Sequence, residues 1–563
     1  MYASEAMSSR EDLNPENFQT IREVFENSFE KYPDNLAFSC LGHQITFREL
    51  DIKSAQLAEW LINNSGLKAG DRIAIQLPNV LQFPIAVVAA ARAGLVIVNT
   101  NPLYTSREML HQFKDSGARG IIILENFCHN LQKILPETNI QCIVTTQLAD
   151  ILPQPKRTLM NLAVRYLKRM VPSWRIPGTH SLPSILSTMP EQSAEANRQV
   201  GRTEDRARNR DDLALILYTG GTTGPAKGAM LTHSNLVNNM MQLRSVSQYL
   251  INDGSDTIIA PLPLYHTYAF MLHCLTGFYA GNHNVLIPNP RDLDDLIKTL
   301  KSLPEINGFV GINTLFLAMC RHKDIDQVDF SKMRFTGSGG MALTIRVAEE
   351  WQRVTGCQVY EGYGLTECSP VVSINPHDDV RIGTVGIAVP GTDVKTVDEQ
   401  GQDTGFNAKG ELLVRGPQVM KGYWQNEEAT RKSIDEEGWF KTGDYAEISE
   451  DGFIRIVDRK KDMINVSGFN VFPSEVEEVV NSHPGVAESA AIGVPSEKSG
   501  ESVKLFVVRR DNVLTLDELT SYCRENLTAY KVPREIVFVD DLPKSNVGKI
   551  LRRELREQEE AKS

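Results

Sequence analysis

The chain has 563 residues, of which 41% are hydrophobic and 23% are charged, values typical of a soluble globular protein with several buried cores. Its formal net charge of −12 disfavours nucleic acid as a partner, so an anionic ligand needs a locally basic pocket. The eight cysteines form no C-x-x-C pair, and the N-terminus lacks a basic segment followed by an apolar one. We therefore expect reduced thiols, no secretory signal and a cytoplasmic location.

The first 150 residues alternate short apolar segments with segments of helical period. Residues 72–77 and 120–124 indicate strands, and residues 85–92 indicate a helix. Similar units follow near residues 285–287 and 308–310. This alternation predicts parallel sheets covered by helices.

Residues 151–190 contain no acidic side chain, and their basic residues accompany an apolar stripe. A helix with this pattern can lie peripherally on an anionic membrane surface or pack on its own domain. The basic residues are Lys156, Arg157, Arg165, Lys168, Arg169 and Arg175, and the stripe comprises Leu159, Leu162, Ala163, Tyr166, Leu167 and Met170.

A loop rich in glycine and threonine, YTGGTTGPAKG at residues 218–228, follows a predicted buried strand. Glycine amides can converge on phosphate oxygens, threonine hydroxyls add donors, and Lys227 adds a mobile positive charge, so we expect the loop to bind ATP. Lys227 is not followed by Ser or Thr, and helix signals begin only at Ser234, which disfavours a P-loop NTPase. A flexible surface linker is the alternative.

The last third of the chain changes character. After Gly383 the pattern becomes rich in strands and tight turns, and a charged run at residues 458–462 precedes about a hundred residues of mixed character. We predict an α/β fold: a large N-terminal domain (1–457) of two α/β subdomains plus a β-rich lobe, and a small α+β C-terminal domain (464–563). The charged run would form a hinge (458–463), and a solvated surface turn is the alternative.

Four further segments follow the glycine-threonine loop in a fixed order. They are YEGYGLTE at 360–367, GWFKTGD at 438–444 with its continuation to Arg459, GFNVFPSEVE at 468–477, and PKSNVGKILRR at 543–553. With the loop, they resemble the adenylate-forming (AMP-binding) superfamily of acyl-CoA synthetases, luciferases and adenylation domains over essentially the whole chain. The block from Trp439 to Arg459 and residues 263–266 (PLYH) are most similar to bacterial long-chain fatty acyl-CoA synthetases.

This resemblance implies ATP-dependent ligation of a long-chain fatty acid to CoA through an acyl adenylate, with Mg²⁺ as cofactor. It implies that Glu367 and Thr219 hold the metal, that Lys227 faces the departing pyrophosphate, and that Lys549 bridges the carboxylate and the α-phosphate. The C-terminal domain would then rotate near Lys461 to admit CoA. The nucleotide site would comprise Thr219, Gly220, Gly221, Thr222, Thr223, Gly224 and Lys227 at the phosphates, Gly339, Gly340, Glu361, Gly362 and Tyr363 around adenine, and Asp444 and Arg459 at the ribose. Gly364, Thr366 and Lys461 would be further cofactor contacts.

Some assignments stay open at this point. Gly468 would border the pantetheine passage. His266 would line the junction of the fatty-acid, AMP and thiol sites, either as a gating or packing residue or as a base. The acyl tunnel is predicted to be apolar, with Phe270, Phe309, Leu315 and Phe316 as candidate walls, although an ordinary core position is the more common role for each of them. The alternatives are a ligase that serves a carrier protein and a membrane-surface module that binds fatty acids. A homodimer is a further prediction.

Overall fold

The computed structural model describes residues 2–3, 13–189, 209–219, 226–467, 469–496, 498–510, 513–545 and 549–561. The predicted phosphate contacts Gly220, Gly221, Thr222, Thr223 and Gly224, and the predicted pantetheine contact Gly468, lie outside these residues. Within them the strands form four sheets. Two are large, one forms the predicted β-rich lobe and is called the β-rich sheet, and one lies in the C-terminal part.

The first large sheet is mostly parallel, and its inner strands are buried along their whole length, as expected when helices cover both faces. Its last two long strands are antiparallel and join through the glycine-threonine loop, with Thr219 opposite Lys227. In spatial order the strands are Gly422–Tyr423, Lys227–Thr232, Leu213–Thr219, Val96–Asn99, Arg72–Gln76, Gly120–Leu124, Cys142–Thr146 and Thr179–Ser181.

The second large sheet is parallel through its centre and antiparallel at both edges. One hydrophobic core cluster extends from the first large sheet to the second. The strands in spatial order are Ile387–Ala388, Val371–Ile374, Val359–Gly364, Phe335–Ser338, Gly308–Gly311, Thr257–Ala260, His283–Leu286, Leu36–Cys40 and His43–Thr46.

The β-rich sheet is antiparallel, and its last strand leads into the C-terminal part. Its strands are Tyr2–Ala3, Asp393–Val397, Lys409–Arg415, Phe440–Ile448 and Ile454–Arg459. The C-terminal sheet has its own cores and comprises Phe469–Val471, Ile464–Val466, Gly500–Arg509, Val486–Ser496 and Glu535–Val539.

Helices surround these sheets, and several begin at a capping box that satisfies the first free amides, as at Thr46 with Glu49 and Thr105 with Glu108. The α-helices are Ile21–Lys31, Phe47–Asn64, Gln82–Arg92, Ser106–Ser116, Cys128–Ile134, Lys156–Leu162, Leu182–Thr188, His233–Ser247, Thr267–Ala269, Gly277–Tyr279, Leu293–Lys301, Asn313–Cys320, Ile345–Thr355, Glu427–Ser433, Pro473–Asn481, Leu516–Asn526 and Arg552–Glu560. Segments Ala163–Leu167 and Phe270–Thr276 are π-helical, and the 3-10 helices are Pro15–Asn17, Glu125–Phe127, Leu135–Glu137, Ile325–Gln327, Thr366–Cys368 and Lys460–Asp462.

The predicted α/β fold class is confirmed. Two large sheets covered by helices and the β-rich sheet are followed by a small α+β C-terminal part. The predicted strands at 72–77 and 120–124 occur as Arg72–Gln76 and Gly120–Leu124, and the predicted helix at 85–92 begins one turn earlier, at Gln82. The domain boundaries at 457 and 463 stay predictions.

The basic segment after Asp150 packs in the opposite sense to an ordinary amphipathic helix. Its apolar stripe faces outward, with Leu159, Tyr166 and Leu167 64%, 68% and 81% exposed. Arg165 forms an ion pair with Glu125 of the domain instead of facing solvent. The segment packs on its own domain through Val164 and Arg165, and the apolar stripe is left at the surface. Among the described residues, every helix is too short or too polar to cross a bilayer.

Candidate active site

A cavity of about 2310 Å³ opens between the large sheets, the β-rich sheet and the C-terminal part. Most of the predicted site residues that the structure describes meet on its wall, although they come from five separate sequence segments and from the C-terminal loop. These residues are Thr219, His266, Gly339, Gly340, Glu361, Gly362, Tyr363, Gly364, Thr366, Glu367, Asp444, Arg459, Lys461 and Lys549.

At one end of the cavity, a tyrosine that the sequence analysis missed links two predicted residues. The Tyr423 hydroxyl donates to Glu367 Oε1 at 2.9 Å, and Lys227 Nζ lies 5.0 Å from the centre of the same ring. The hydroxyl of Thr219 donates to the Lys227 carbonyl at 3.4 Å, at the base of the hairpin loop. Burial and the neighbouring carboxylate raise the pKa of Tyr423, so its hydroxyl stays a donor that orients Glu367. A tyrosine in a short edge strand carries no sequence signal for this role.

The helix Ser106–Ser116 supports the hairpin from below. His111 Nε2 lies 2.9 Å from the carbonyl oxygen of Ala226, the first described residue after the loop. The Tyr218 hydroxyl donates to Asp115 at 2.5 Å, and the Trp424 indole donates to the Asp115 carbonyl at 2.9 Å. Two hydrogen bonds thus tie the base of the loop to one helix, and a third joins Trp424 to the same helix.

At the predicted ribose position, Asp444 and Arg459 face each other on paired strands. Asp444 is buried, with Arg459 Nε 3.0 Å from one carboxylate oxygen and the Tyr363 hydroxyl donating to the other at 2.5 Å. The field of Asp444 raises the pKa of Arg459. Because a carboxylate offers about four lone-pair positions, Asp444 can still accept from two vicinal hydroxyls.

The predicted adenine region is built on close backbone approach. Gly340 has φ +83°, which an L side chain rarely adopts, and a Cβ at Gly364 would lie 2.2 Å from the Pro370 carbonyl oxygen. The buried Glu361 side chain accepts the Leu343 amide at 2.9 Å, and burial raises its pKa to about 8. Its carboxyl group is therefore committed to the protein, and the strand backbone faces the cavity.

Lys549 lies in this cavity among the predicted nucleotide contacts. Burial, followed by the charge of Arg459, lowers the pKa of Lys549 to about 8, against the opposing influence of Asp444 and Glu367. Lys549 in turn affects His266: burial, with Lys549 as the second cause, lowers the pKa of His266 to about 4. The tail of the chain and the described ends of the glycine-threonine loop thus line the same cavity.

Part of the wall of the same cavity, the apolar limb, consists of apolar side chains that are otherwise mostly buried. The predicted wall residues Phe309, Leu315 and Phe316 do not line it, because they pack around Trp351 in a separate core. Phe270 is fully buried in the main core. The four candidates are therefore core residues, which was the alternative for each of them. The apolar lining is formed by Leu243, Ile251, Ile258, Leu272, Val310 and Phe335.

Comparison with known proteins agrees with this geometry. The family profile described as "AMP-binding enzyme" matches residues 25–424, and the profile described as "AMP-binding enzyme C-terminal domain" matches residues 475–549, ending at Lys549. The chain belongs to the AMP-binding enzyme family. Its curated relatives include proteins named long-chain-fatty-acid–CoA ligase from Salmonella typhimurium, 47% identical, and from Haemophilus influenzae, 44% identical. Each alignment covers 98% of this chain, and 96% and 97% of the relatives.

Solved structures agree with the fold of this AMP-binding enzyme. ATP-bound MatB from Rhodopseudomonas palustris is 30% identical, with a TM-score of 0.81 over 95% of this chain and 98% of that one. The anthranilate CoA ligase AuaEII, in complex with anthranoyl-AMP, has a TM-score of 0.84 over 97% and 99% of the two chains; at 24% identity it supports the fold alone.

Proposed function

We propose that this AMP-binding enzyme is a long-chain-fatty-acid–CoA ligase. In the first step a fatty carboxylate oxygen attacks the α-phosphorus of ATP, giving acyl-AMP and pyrophosphate. In the second step the CoA sulfur attacks the acyl carbonyl carbon, giving the thioester and AMP, and the thiol proton is released. The observation that supports this best is the position of Lys549, inside a cavity that also presents Glu367, Asp444, Arg459 and an apolar limb.

The first step brings negative groups together, so positive charge must be placed beforehand. Lys549 would neutralise charge between the carboxylate and the α-phosphate, and Lys227 would neutralise charge on the leaving pyrophosphate. Asp444 and Arg459 would hold the ribose, and Tyr363 would lie along adenine. The apolar limb would take the alkyl chain, where each buried methylene contributes about 0.8 kcal/mol.

Mg²⁺ fits the donor set at Glu367 and Thr219. Both supply hard oxygen ligands, both line the cavity, and Tyr423 orients the carboxylate. Within the described part of the chain, no three His, Cys, Asp or Glu side chains gather into a metal site by themselves. Mg²⁺ commonly uses one carboxylate together with substrate phosphates and water, and when bound it would neutralise phosphate charge.

His266 lines the cavity and is neutral at physiological pH. A ring with a pKa of about 4 is a weak base, which favours a gating or hydrogen-bonding role while Lys549 is close. Lys461 also lines the cavity, and burial lowers its pKa, as expected for a lysine at a closed junction.

The proposed activity is tested by pyrophosphate release with saturated acids of graded length, with CoA or a carrier protein as acceptor. We expect release to depend on added acid, to favour long chains, and to give thioester only with CoA. Pyrophosphate release that does not depend on the added acid, or acyl transfer only to the carrier protein, would contradict the proposal.

We also propose a peripheral contact with anionic lipid through the outward face of residues 156–170. Five large apolar side chains are 48–81% exposed there. Arg157 and Arg165 are paired with Asp150 and Glu125, whereas no ion pair is found among the described residues for Lys168, Arg169 or Arg175. Unpaired cations beside exposed apolar groups suit an anionic bilayer surface. The apolar residues are Leu159, Leu162, Tyr166, Leu167 and Met170.

Vesicle sedimentation tests this contact. The variant Lys168→Glu/Arg169→Glu should bind phosphatidylglycerol vesicles about tenfold or more weakly, since each cation near such a surface contributes about 1 kcal/mol. The control Lys323→Glu/Arg353→Glu makes the same charge change at other exposed positions and should bind like the wild type. Equal binding by all three proteins would contradict the contact. Cytoplasmic location and homodimer formation stay predictions.

A further inference from the structure

The contacts around the helix Pro473–Asn481 connect the β-rich sheet to Lys549. The helix begins after Phe472, whose side chain cannot cap it. Its cap comes from the first residue of the predicted hinge: Asp458 Oδ2, at the end of the β-rich sheet, accepts the Ser474 amide at 2.7 Å. An acidic group at a helix N-terminus is favourable because free amides and the helix dipole meet it there.

The first turn of this helix is also held by an ion pair to the β-rich sheet. Lys409 Nζ lies 2.6 Å from Glu475 Oε1, and Lys531 Nζ, from the C-terminal part, lies 2.5 Å from Oε2 of the same carboxylate. Although burial opposes it, hydrogen bonds from these two lysines lower the pKa of Glu475. One carboxylate thus bridges a cation on each side of the predicted hinge. The Phe472 ring lies 5.6 Å from that of Tyr445 and continues the contact.

The far side of the helix reaches the catalytic loop. Glu477 receives two hydrogen bonds from Arg552, at 3.2 and 2.6 Å, and Arg552 lies three residues beyond Lys549. Arg556 adds a 2.7 Å bond to Asp462, in the 3-10 helix that follows the β-rich sheet. The helix therefore contacts the β-rich sheet through its first turn, and it contacts the segment that carries Lys549 through its next turn.

We propose that Lys409 is a positioning residue for acyl-AMP formation. By pairing with Glu475 it seats the helix Pro473–Asn481, and through Arg552 it favours the orientation in which Lys549 enters the cavity. Lys409 touches no substrate, and its effect is confined to the first half-reaction. This rests on the proposed two-step reaction, in which the second step needs Lys549 withdrawn.

The chain offers a matched control, because Lys531 pairs with the same carboxylate but belongs to the same side of the predicted hinge as Glu475. We compare Lys409→Met with Lys531→Met, measuring acyl-AMP formation in a single turnover and thiolysis of supplied acyl-AMP separately. Lys409→Met should slow acyl-AMP formation about two- to fivefold, as expected for one half-exposed ion pair, and leave thiolysis unchanged or faster. Lys531→Met should leave the ratio of the two rates at its wild-type value. Equal effects of the two substitutions, or an unchanged ratio in Lys409→Met, would overturn the proposal.

A second measurement separates this proposal from the identity of the acyl substrate. All eight native cysteines are buried, so Lys332→Cys and Glu525→Cys place two labels at exposed positions on opposite sides of the predicted hinge. We measure the distribution of distances between the two labels with ATP alone. Lys409→Met should move the maximum of this distribution away from its wild-type position, and Lys531→Met should not. A distribution unmoved by Lys409→Met would overturn the positioning role even if the ligase activity is confirmed. If no fatty acid is a substrate, a shifted distribution would still support the role of Lys409.

Discussion

At the scale of single residues, the site depends on a lysine that is buried among charges. Lys549 keeps a positive charge only against the cost of burial and the nearby Arg459, and its pKa of about 8 lies close to physiological pH. A lysine whose pKa lies near neutral pH can lose its charge within the pH range in which an enzyme works. Its charge is therefore open to measurement through pH.

We predict that acyl-AMP formation declines above pH 8. The required form of Lys549 is protonated below its pKa of about 8, so kcat/KM for ATP in this step should fall about tenfold per pH unit above that value. Thiolysis of supplied acyl-AMP should not share the decline. Lys549→Arg, whose side chain stays charged, should be slower but flat over the same range. A wild-type profile that stays flat to pH 9.5 would contradict the prediction.

Sequence and structure differ most at this scale. Lys549, Glu367, Asp444 and Arg459 were predicted because each lies in a segment typical of the family. Tyr423, His111 and Asp115 were not, because a supporting residue is defined by what it contacts across the fold, and here the partners are 56, 115 and 103 residues apart. The walls of the acyl tunnel could not be predicted for the same reason, because an apolar residue in a core and one in a tunnel wall look alike in sequence.

At the scale of elements, a helix and a hairpin form one unit at the phosphate end. The helix Ser106–Ser116 begins with a capping box at Thr105 and ends at Gly117 in the left-handed region. Those two signals set its position, so that His111 and Asp115 contact the described ends of the loop, Ala226 and Tyr218. Such strands and helices could be predicted from periodicity; their pairing across the sheet could not.

Asp115→Ala tests this unit. Removing the carboxylate leaves the half-buried Tyr218 hydroxyl without its partner, and we expect a loss of about 1–2 kcal/mol in the free energy of unfolding. Because Tyr218 leads into the loop, the KM for ATP should rise several-fold while thiolysis of supplied acyl-AMP is kept. In a double-mutant cycle with Tyr218→Phe, the two effects should not add. Additive effects would show that the pair does not support the loop.

At the scale of the whole molecule, residues from the first sheet to the C-terminal loop surround one cavity. The order of motifs along the chain predicted that they belong together. It did not predict the orientation of the C-terminal part, because that depends on which residues pair in space, such as Asp458 with Ser474 and Lys409 with Glu475, and the motifs do not encode those pairings. The structure has Lys549 in the cavity, the orientation suited to the first step.

Lys549→Ala, assayed in each half-reaction, is the most direct test of a single cavity that serves two steps. We predict that acyl-AMP formation falls about 10²- to 10⁴-fold, as for loss of a preorganised charge, while transfer from supplied acyl-AMP to CoA stays within about threefold of wild type. Lys544→Ala, in the same loop but paired with Glu488 and Asp541, should change neither step by more than about threefold. Equal loss of both steps in Lys549→Ala, or unimpaired acyl-AMP formation, would contradict the proposed role of the C-terminal lysine.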